Sequence, residues 1–171
     1  MNFWKTLLGL AVLLAALSAC KEQTKAEDVV ETAVATYEPA VEKSTAQLKA
    51  ELTEAGFELF DYVDQETGDT VIMQKYFIAF LKSGPNRSQS KEVADSLQAL
   101  HMEHLGRMYY EGYADISGPF DDDSDIQGIT IYNVPTFEMA DSLANMDPMV
   151  KAGRLVIEVH PWWAAKGFPL R

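Results

Sequence analysis

From Val71 to His160 the apolar residues follow strand and helix periodicities in one fixed order. Strands are predicted over 71–81, 113–116, 126–134 and 155–160, and helices over 90–111 and 136–146. The order strand, helix, strand, strand, helix, strand predicts a ferredoxin-like split βαβ fold of the α+β class. In that fold two helices cover one face of a four-stranded antiparallel sheet. The predicted strands carry apolar residues on both faces, which favours a homodimer that closes two sheets into an α/β barrel.

The first of these helices carries two of the three histidines in the chain, His101 and His104. An apolar stripe at helical spacing consists of Val93, Leu97, Leu100, His104 and Met108. His101 is predicted beside this stripe, and Gly112 is predicted to end the helix. A histidine on an apolar face is commonly a packed core residue, whereas imidazole is also the side chain best suited to proton transfer near neutral pH. The helix alone leaves both roles open.

The N-terminus is typical of a bacterial lipoprotein. Lys5 precedes a short apolar run from Leu7 to Leu17, which is too short for a membrane span and fits a signal peptide. The tetrapeptide that ends at Cys20 resembles a lipobox, which implies cleavage before Cys20 and acylation of that residue. We therefore expect a lipoprotein anchored in the membrane of the cell envelope, facing the periplasm or the cell surface. The alternative is an ordinary secreted protein with an incidental cysteine.

Composition divides the chain into four segments. Residues 1–19 are the predicted signal peptide, and 20–40 are the lipidated N-terminus and a tether rich in Lys, Glu, Thr and Ala. Residues 41–70 are predicted to form a helix and a hairpin whose turn contains Thr67-Gly68-Asp69. Residues 71–171 form the main domain.

The formal net charge of -12 excludes several classes of partner. Nucleic acid needs a basic surface, and so does docking on anionic lipid through a polybasic patch. We expect no nucleic-acid partner, and membrane contact through the lipid anchor only. The single cysteine excludes an intramolecular disulfide.

The two histidines of the first helix are also candidate metal ligands. His101 and His104 share a helix face, but zinc needs three or four protein or solvent ligands. His160 is a third ligand only if the fold brings it close, so the sequence predicts neither a metal nor a cofactor.

An acidic segment resembles the start of a calcium loop. Asp121, Asp123 and Asp125 have the right spacing, but the glycine is misplaced and Tyr132 stands at the twelfth position, where a Glu is required. We interpret the segment as a solvated acidic turn.

Several other residues are further candidates whose roles the sequence leaves open. Asp147 precedes Pro148, a pair that is common in turns. Arg154 is a candidate anion-binding residue near that turn. Trp162 and Trp163 are candidates for lining a pocket, capping the barrel end or forming the dimer seam.

A set of short motifs in fixed order resembles the YciI-like family, the YCII-related domain, over about residues 71–167. The motifs are Tyr76-Phe77-Ile78-Ala79-Phe80-Leu81, Gly84-Pro85-Asn86, Leu100-His101, Gly112, Gly118-Pro119-Phe120, Gly128, Met146-Asp147-Pro148, Val150, Ala152-Gly153 and Glu158-Val159-His160-Pro161-Trp162. The resemblance implies a dimeric α/β barrel and an acid–base pair of histidine and aspartate, which fall on His101 and Asp147. It also implies chemistry such as chloride elimination from a chlorinated hydroxyquinone, or lactone isomerisation in related barrels.

Two hypotheses follow. In the first, the protein is a cofactor-free enzyme in which His101 removes a proton from a small cyclic or aromatic compound and Asp147 orients the imidazole. In the second, the protein is a non-catalytic small-ligand-binding or structural lipoprotein. An imidazole and a carboxylate within hydrogen-bond reach of each other, beside a cavity, would favour the first.

Overall fold

The computed structural model describes residues 43–168 and 170. The predicted signal peptide, Cys20 and the tether lie outside these residues. The helices are α1 (Thr45–Glu54), α2 (Lys91–Tyr110), α3 (Phe137–Asn145) and α4 (Pro148–Lys151). The strands are β1 (Leu59–Val63), β2 (Thr70–Ser83), β3 (Ala114–Pro119), β4 (Ile126–Tyr132) and β5 (Leu155–Ala165). In the described part of the chain, no helix has both the length and the apolar character that crossing a membrane requires.

The sheet is antiparallel throughout and is built around β2. One edge of β2 pairs with β5, and its other edge pairs first with β1 and then with β4. Strand β3 pairs with the far edge of β4, so β4 lies between the two strands that α2 connects. The predicted α+β class with an antiparallel sheet is confirmed.

Alternation along β2 separates the two faces of the sheet. Phe77 and Ala79 are buried in one cluster with Met108 of α2 and with Ala140 and Ala144 of α3. Helices α2 and α3 therefore pack on the same face. Ile78 and Phe80 alternate with these residues and point to the opposite face.

A second, smaller core cluster joins the short helix α4 to the sheet. It contains Leu81 of β2, Met149 of α4 and Leu155 of β5. This cluster lies where the end of β2 meets the beginning of β5, which is also where the polar residues described below converge.

Both outer strands run further than their sequences predicted. The sequence predicted that β3 ends at Ile116, before Gly118-Pro119, and that β5 ends at His160, before Pro161. In the structure β3 continues to Pro119 and β5 to Ala165. In the described sheet, β3 and β5 each form an edge for most of their length. Proline is tolerated on an edge strand, because its missing N–H need not break a ladder bond there.

The buried face of α2 is also displaced from the predicted stripe. Val93 and Leu100 are 48% and 44% exposed, whereas His101, His104 and Met108 are buried. The predicted line through Val93 and Leu100 and the observed buried line through His101 share His104 and Met108. Helical spacing alone therefore could not decide which line faces the sheet.

Candidate active site

Helix α2 holds both of its histidines toward the rest of the domain. The hydroxyl of Ser90 caps its N-terminus by accepting a hydrogen bond from the N–H of Val93. Gly112 follows its C-terminus with a positive φ of 78°, a conformation that favours glycine. His101 and His104 lie one turn apart on the buried side of this well-capped helix.

Asp147 is fixed by its position at the start of α4. Its Oδ1 accepts a hydrogen bond from the N–H of Met149 at 2.8 Å, which makes it the N-cap residue. Pro148 occupies the first helical position, where its missing N–H leaves no donor unpaired. The local sequence predicted a turn at this pair, whereas in the structure the pair begins the short helix α4. The Asp147 side chain is buried as a result.

The structure brings His101 and Asp147 together, although 46 residues separate them. The imidazole Nδ1 of His101 lies 2.5 Å from Oδ2 of Asp147. His101 is 8% exposed and Asp147 is 2% exposed, so water competes little for this contact. The two oxygens of Asp147 thus hold one partner each, His101 and the Met149 amide.

The protonation state of this pair follows from its surroundings. Burial raises the pKa of the Asp147 carboxyl, but the hydrogen bonds from His101 and from the Met149 amide outweigh burial and lower that pKa below its usual value. A charged carboxylate only accepts, so Nδ1 of His101 carries the hydrogen. Neutral imidazole then has its basic lone pair at Nε2. In residues 43–168, no protein atom hydrogen-bonds this Nε2.

His104 has a different environment. It is 3% exposed, and its Nδ1 accepts a hydrogen bond from Nη2 of Arg107 at 3.2 Å. Its Nε2 is buried and has no hydrogen-bond partner among the described residues. Burial lowers the pKa of His104 and favours the neutral ring; the Asp147 carboxylate partly opposes this shift, and Arg107 adds to it. These features fit a packed structural residue.

A cavity of about 410 Å³ lies beside His101. Its apolar lining includes Leu81, Leu105, Ile129 and Met149, and its polar lining includes Arg87, Gln98, Ser117, Gln127 and Arg154. His104 does not line it. A cavity of this size accommodates a small organic molecule.

Close backbone contacts shape one wall of the cavity. A Cβ atom on Gly128 would lie 2.6 Å from the carbonyl oxygen of Gly118, well inside contact distance. Strands β3 and β4 therefore approach this closely only because residue 128 is glycine. Both glycines belong to the motifs singled out in the sequence, and both line the cavity.

The loop after β2 fixes the segment that follows α4. The N–H of Gly84 donates to the carbonyl of Arg154 at 2.8 Å, and the N–H of Asn86 donates to the carbonyl of Gly153 at 3.0 Å. A Cβ atom on Gly84 would lie 2.3 Å from that carbonyl of Gly153. Two distant motifs therefore form one junction, which positions Arg154 at the cavity.

The remaining sequence candidates lie elsewhere. His160 lies on the opposite face of the sheet, where its Nε2 pairs with Oε1 of Glu158 at 2.7 Å. It does not join His101 and His104, and the described residues contain no cluster of three metal-binding side chains. Asp121, Asp123 and Asp125 are exposed.

The two tryptophans pair with aromatic rings of the sheet. Trp162 lies 6.3 Å from Tyr76, and Trp163 lies 4.9 Å from Phe60, as ring-centroid distances. Neither tryptophan lines the cavity beside His101.

The sequence analysis missed some residues of the cavity. Arg87 and Ser117 had no distinguishing pattern, although each lies close to a motif, Gly84-Pro85-Asn86 and Gly118-Pro119 respectively. Their proximity to these motifs was the sequence signal that could have identified them as cavity residues.

Residues 76–163, just over half of the chain, match the family model of the YCII-related domain. The chain belongs to the YCII-related family. Among solved structures, this YCII-related protein is similar to 5-chloro-2-hydroxyhydroquinone dehydrochlorinase from Burkholderia phenoliruptrix, determined in complex with 2,5-dihydroxybenzoquinone. The two chains share 24% identity with a TM-score of 0.38, and the match covers 51% of this chain and 92% of the other. No curated protein matched.

Proposed function

We propose that this YCII-related protein is a cofactor-free acid–base enzyme that acts on a small cyclic or aromatic compound. The observation that carries the proposal is the contact between His101 Nδ1 and the buried carboxylate of Asp147, 2.5 Å long and beside a cavity. A carboxylate in this position fixes the imidazole tautomer and stabilises the imidazolium that forms when the ring accepts a proton. His101 is the proposed catalytic base, and Asp147 is a positioning residue.

The proposed step is removal of a proton from carbon. The substrate C–H bond breaks, the proton moves to Nε2 of His101, and the electron pair remains on the substrate as an enolate or a related anion. In an elimination, that pair forms a double bond and a leaving group departs with its own bonding pair. In an isomerisation, His101 returns the proton to a different carbon. Both outcomes balance without an oxidant, a reductant or a cofactor.

Solvent exchange tests this step before the natural substrate is known. The purified protein is incubated in D₂O with a panel of small cyclic ketones, lactones and hydroxyquinones, and loss of carbon-bound hydrogen is followed by NMR. We expect exchange that falls by about 10²–10⁴-fold in His101→Ala, the usual contribution of a general base. Asp147→Asn should also lower the rate and should change its pH profile, because it alters the imidazole and not the substrate contact.

Glu103→Gln is the matched control, since Glu103 is an exposed ionisable residue of the same helix that does not line the cavity. It should exchange at the wild-type rate. Equal exchange in wild type and His101→Ala would refute the enzyme proposal. Ligands that stabilise the protein without any exchange would favour the small-ligand-binding alternative.

We further propose that Cys20 is acylated and anchors the protein in the membrane of the bacterial cell envelope. The support is the lipobox-like sequence that follows an apolar run of signal-peptide length. More than one acyl chain gives stable anchoring, whereas a single chain is marginal.

A homodimeric ferredoxin-like barrel is the proposed assembly. Ile78 and Phe80 point away from the α2–α3 face, and with Trp162 they line a groove of about 440 Å³. Trp162 is 43% exposed, which is unusual for a side chain of this size. A second copy of the same sheet would cover these residues and close the barrel.

A further inference from the structure

The cavity beside His101 is positively charged, although the chain is acidic. The protein has 26 Asp and Glu residues against 14 Lys and Arg residues. Nevertheless the described lining of this cavity contains Arg87 and Arg154 and no Asp or Glu. The carboxylate of Asp147 lies behind the His101 ring and does not line the cavity. A small cavity with charges of one sign attracts ligands of the opposite sign.

Neither arginine is neutralised by a carboxylate in residues 43–168. Nη1 of Arg154 donates to Oε1 of Gln89 at 2.8 Å, and Nη2 of Arg87 donates to Oγ of Ser83 at 3.0 Å. These acceptors are neutral, so they fix the side chains without cancelling the positive charge. Arg154 is partly buried, and a partly buried guanidinium commonly pairs with a carboxylate, so this pairing is left for a ligand to supply.

The guanidinium of Arg154 has an unused edge. Its Nε is buried and has no hydrogen-bond acceptor in the described part of the chain. Its Nη2 likewise donates to no protein atom in these residues. A buried N–H without an acceptor costs free energy, and a planar carboxylate is the group that accepts from Nε and Nη2 together.

The rest of the cavity suits a hydrocarbon ring. Leu81, Leu105, Ile129 and Met149 line it, and the apolar wall adjoins His101. Such a lining favours an apolar molecular body with few polar groups. A bare inorganic anion would leave this apolar surface unused.

We propose that the ligand of this cavity is a small ring-bearing carboxylate. Its carboxylate binds Arg154, with Arg87 adding positive charge, and its ring packs on the apolar wall beside Nε2 of His101. The inference rests on the proposed function only in taking this cavity as the substrate site. It adds the substrate class and assigns Arg154 as a residue that determines specificity. The same positive charge would stabilise the anion that proton removal creates.

Binding of benzoate to the full chain tests the proposal without any reaction. Benzoate, its neutral isostere benzamide, acetate and inorganic phosphate are compared by calorimetric titration and thermal shift at constant ionic strength. We expect benzoate to bind, and to bind at least tenfold more tightly than each of the other three probes. Arg154→Gln should weaken benzoate by about 10–100-fold, the range for a lost charge-assisted bidentate contact, and should leave benzamide unchanged. Arg154→Lys should have an intermediate effect, because lysine keeps the positive charge but lacks the planar guanidinium that donates two parallel hydrogen bonds to a carboxylate.

Lys91→Gln is the matched control, since it removes one positive charge at an exposed position outside the cavity. It should bind benzoate like the wild type. If Arg154→Gln does not fold, Arg87→Gln serves as the second variant, because Arg87 is exposed and should weaken benzoate without loss of structure. Failure of benzoate to bind, equal binding of benzoate and benzamide, or unchanged benzoate binding in the folded arginine variants would overturn the inference. Phosphate binding as tight as benzoate binding would overturn the ring-bearing class.

His101→Ala separates this inference from the proposed enzyme. The variant should still bind benzoate, because Arg154 and the apolar wall remain. Benzoate binding that depends on Arg154, with no proton exchange on any substrate, would reject the enzyme and keep the ligand class. Proton exchange that depends on His101, with no preference for carboxylates, would do the reverse.

Discussion

Replacing Asp147 by asparagine tests whether the buried carboxylate holds the imidazole of His101, the proposed catalytic base. The carboxylate accepts two hydrogen bonds, from His101 at 2.5 Å and from the Met149 amide at 2.8 Å. Asparagine has nearly the same shape but only one oxygen. Either orientation of its amide therefore leaves one of these two buried N–H groups facing another donor.

The expected loss of stability follows from these contacts. A hydrogen bond to a charged group contributes about 1.5–3 kcal/mol, so Asp147→Asn should lower the free energy of unfolding by that amount. Asp147→Ala also removes the helix cap, and should cost about 3–5 kcal/mol, the range for breaking a buried charged pair.

A double-mutant cycle with His101→Ala measures the pair itself. Unfolding in urea is followed by circular dichroism for the wild type, both single variants and the double variant. In the His101→Ala background, Asp147→Asn should cost less than in the wild type by about 1–3 kcal/mol. Lys91→Ala with Asp95→Asn is the control cycle, because this ion pair on the surface of α2 is exposed and should couple by no more than about 0.5 kcal/mol.

The pH dependence of the coupling adds a second check. The pKa of Asp147 is lowered in the folded protein, so its contribution to stability is complete above the unfolded value near 4. That contribution is lost as the pH falls through the folded pKa. Additive costs of the His101 and Asp147 variants at neutral pH would show that the carboxylate does not hold the imidazole, and the proposed mechanism would lose its basis.

Four further predictions address other parts of the molecule. His104→Ala should lower the free energy of unfolding by about 1–3 kcal/mol. Since burial lowers the pKa of His104, the difference in free energy of unfolding between the variant and the wild type, measured by denaturant titration, should narrow as the pH falls below about 6.5. Gly84→Ala should cost about 1–3 kcal/mol or more, because its Cβ would lie 2.3 Å from a backbone oxygen, whereas Gly118→Ala, with nothing within 4 Å, should stay within about 0.5 kcal/mol. Cys20→Ser should move the protein from the membrane fraction to the soluble fraction, and continued sedimentation with membranes would reject the anchor. Light scattering at micromolar concentrations should give twice the mass of the mature chain, and the mass of a single chain would reject the dimer.

The order of the core elements was predictable because period-two and period-3.6 patterns are local. Element ends were less predictable, because proline stops a strand only where its N–H is needed, and that depends on which strands form the edges. Pro119 and Pro161 lie on edges and are accommodated. The buried face of α2 was ambiguous for a similar reason. A stripe that includes Val93 and a stripe that includes His101 both fit helical spacing, and only packing against the sheet decides which of them is buried.

The site was predictable only through the motifs. His101 and Asp147 have no local signal that links them, because their contact depends on α4, a four-residue helix that is too short for periodicity to reveal. The Asp147-Pro148 pair nevertheless contained the local signal for the start of α4, since Asp147 is its N-cap and Pro148 is its first helical residue. Arg87 was missed because a charged residue in a loop is usually solvated, and only the folded cavity shows that no acid accompanies it.

The two histidines of α2 show how one helix can separate structure from chemistry. Both are buried and lie one turn apart, yet the α4 cap places a carboxylate oxygen on His101 and leaves His104 with Arg107 as its partner. Burial and, to a smaller extent, Arg107 favour a neutral His104 despite the opposing charge of Asp147, so this ring is poorly suited to accept a proton. A carboxylate neighbour has the opposite effect, because it stabilises the protonated ring that proton abstraction must create. The cavity adjoins His101, the histidine that contacts the carboxylate. Arg87 and Arg154 line the same cavity, and the proposed carboxylate ligand would supply the negative charge that pairs with them. Truncation of His101 should therefore abolish activity and also lower stability, because it leaves the buried carboxylate of Asp147 without this partner. Truncation of His104 should lower stability and leave activity nearly unchanged.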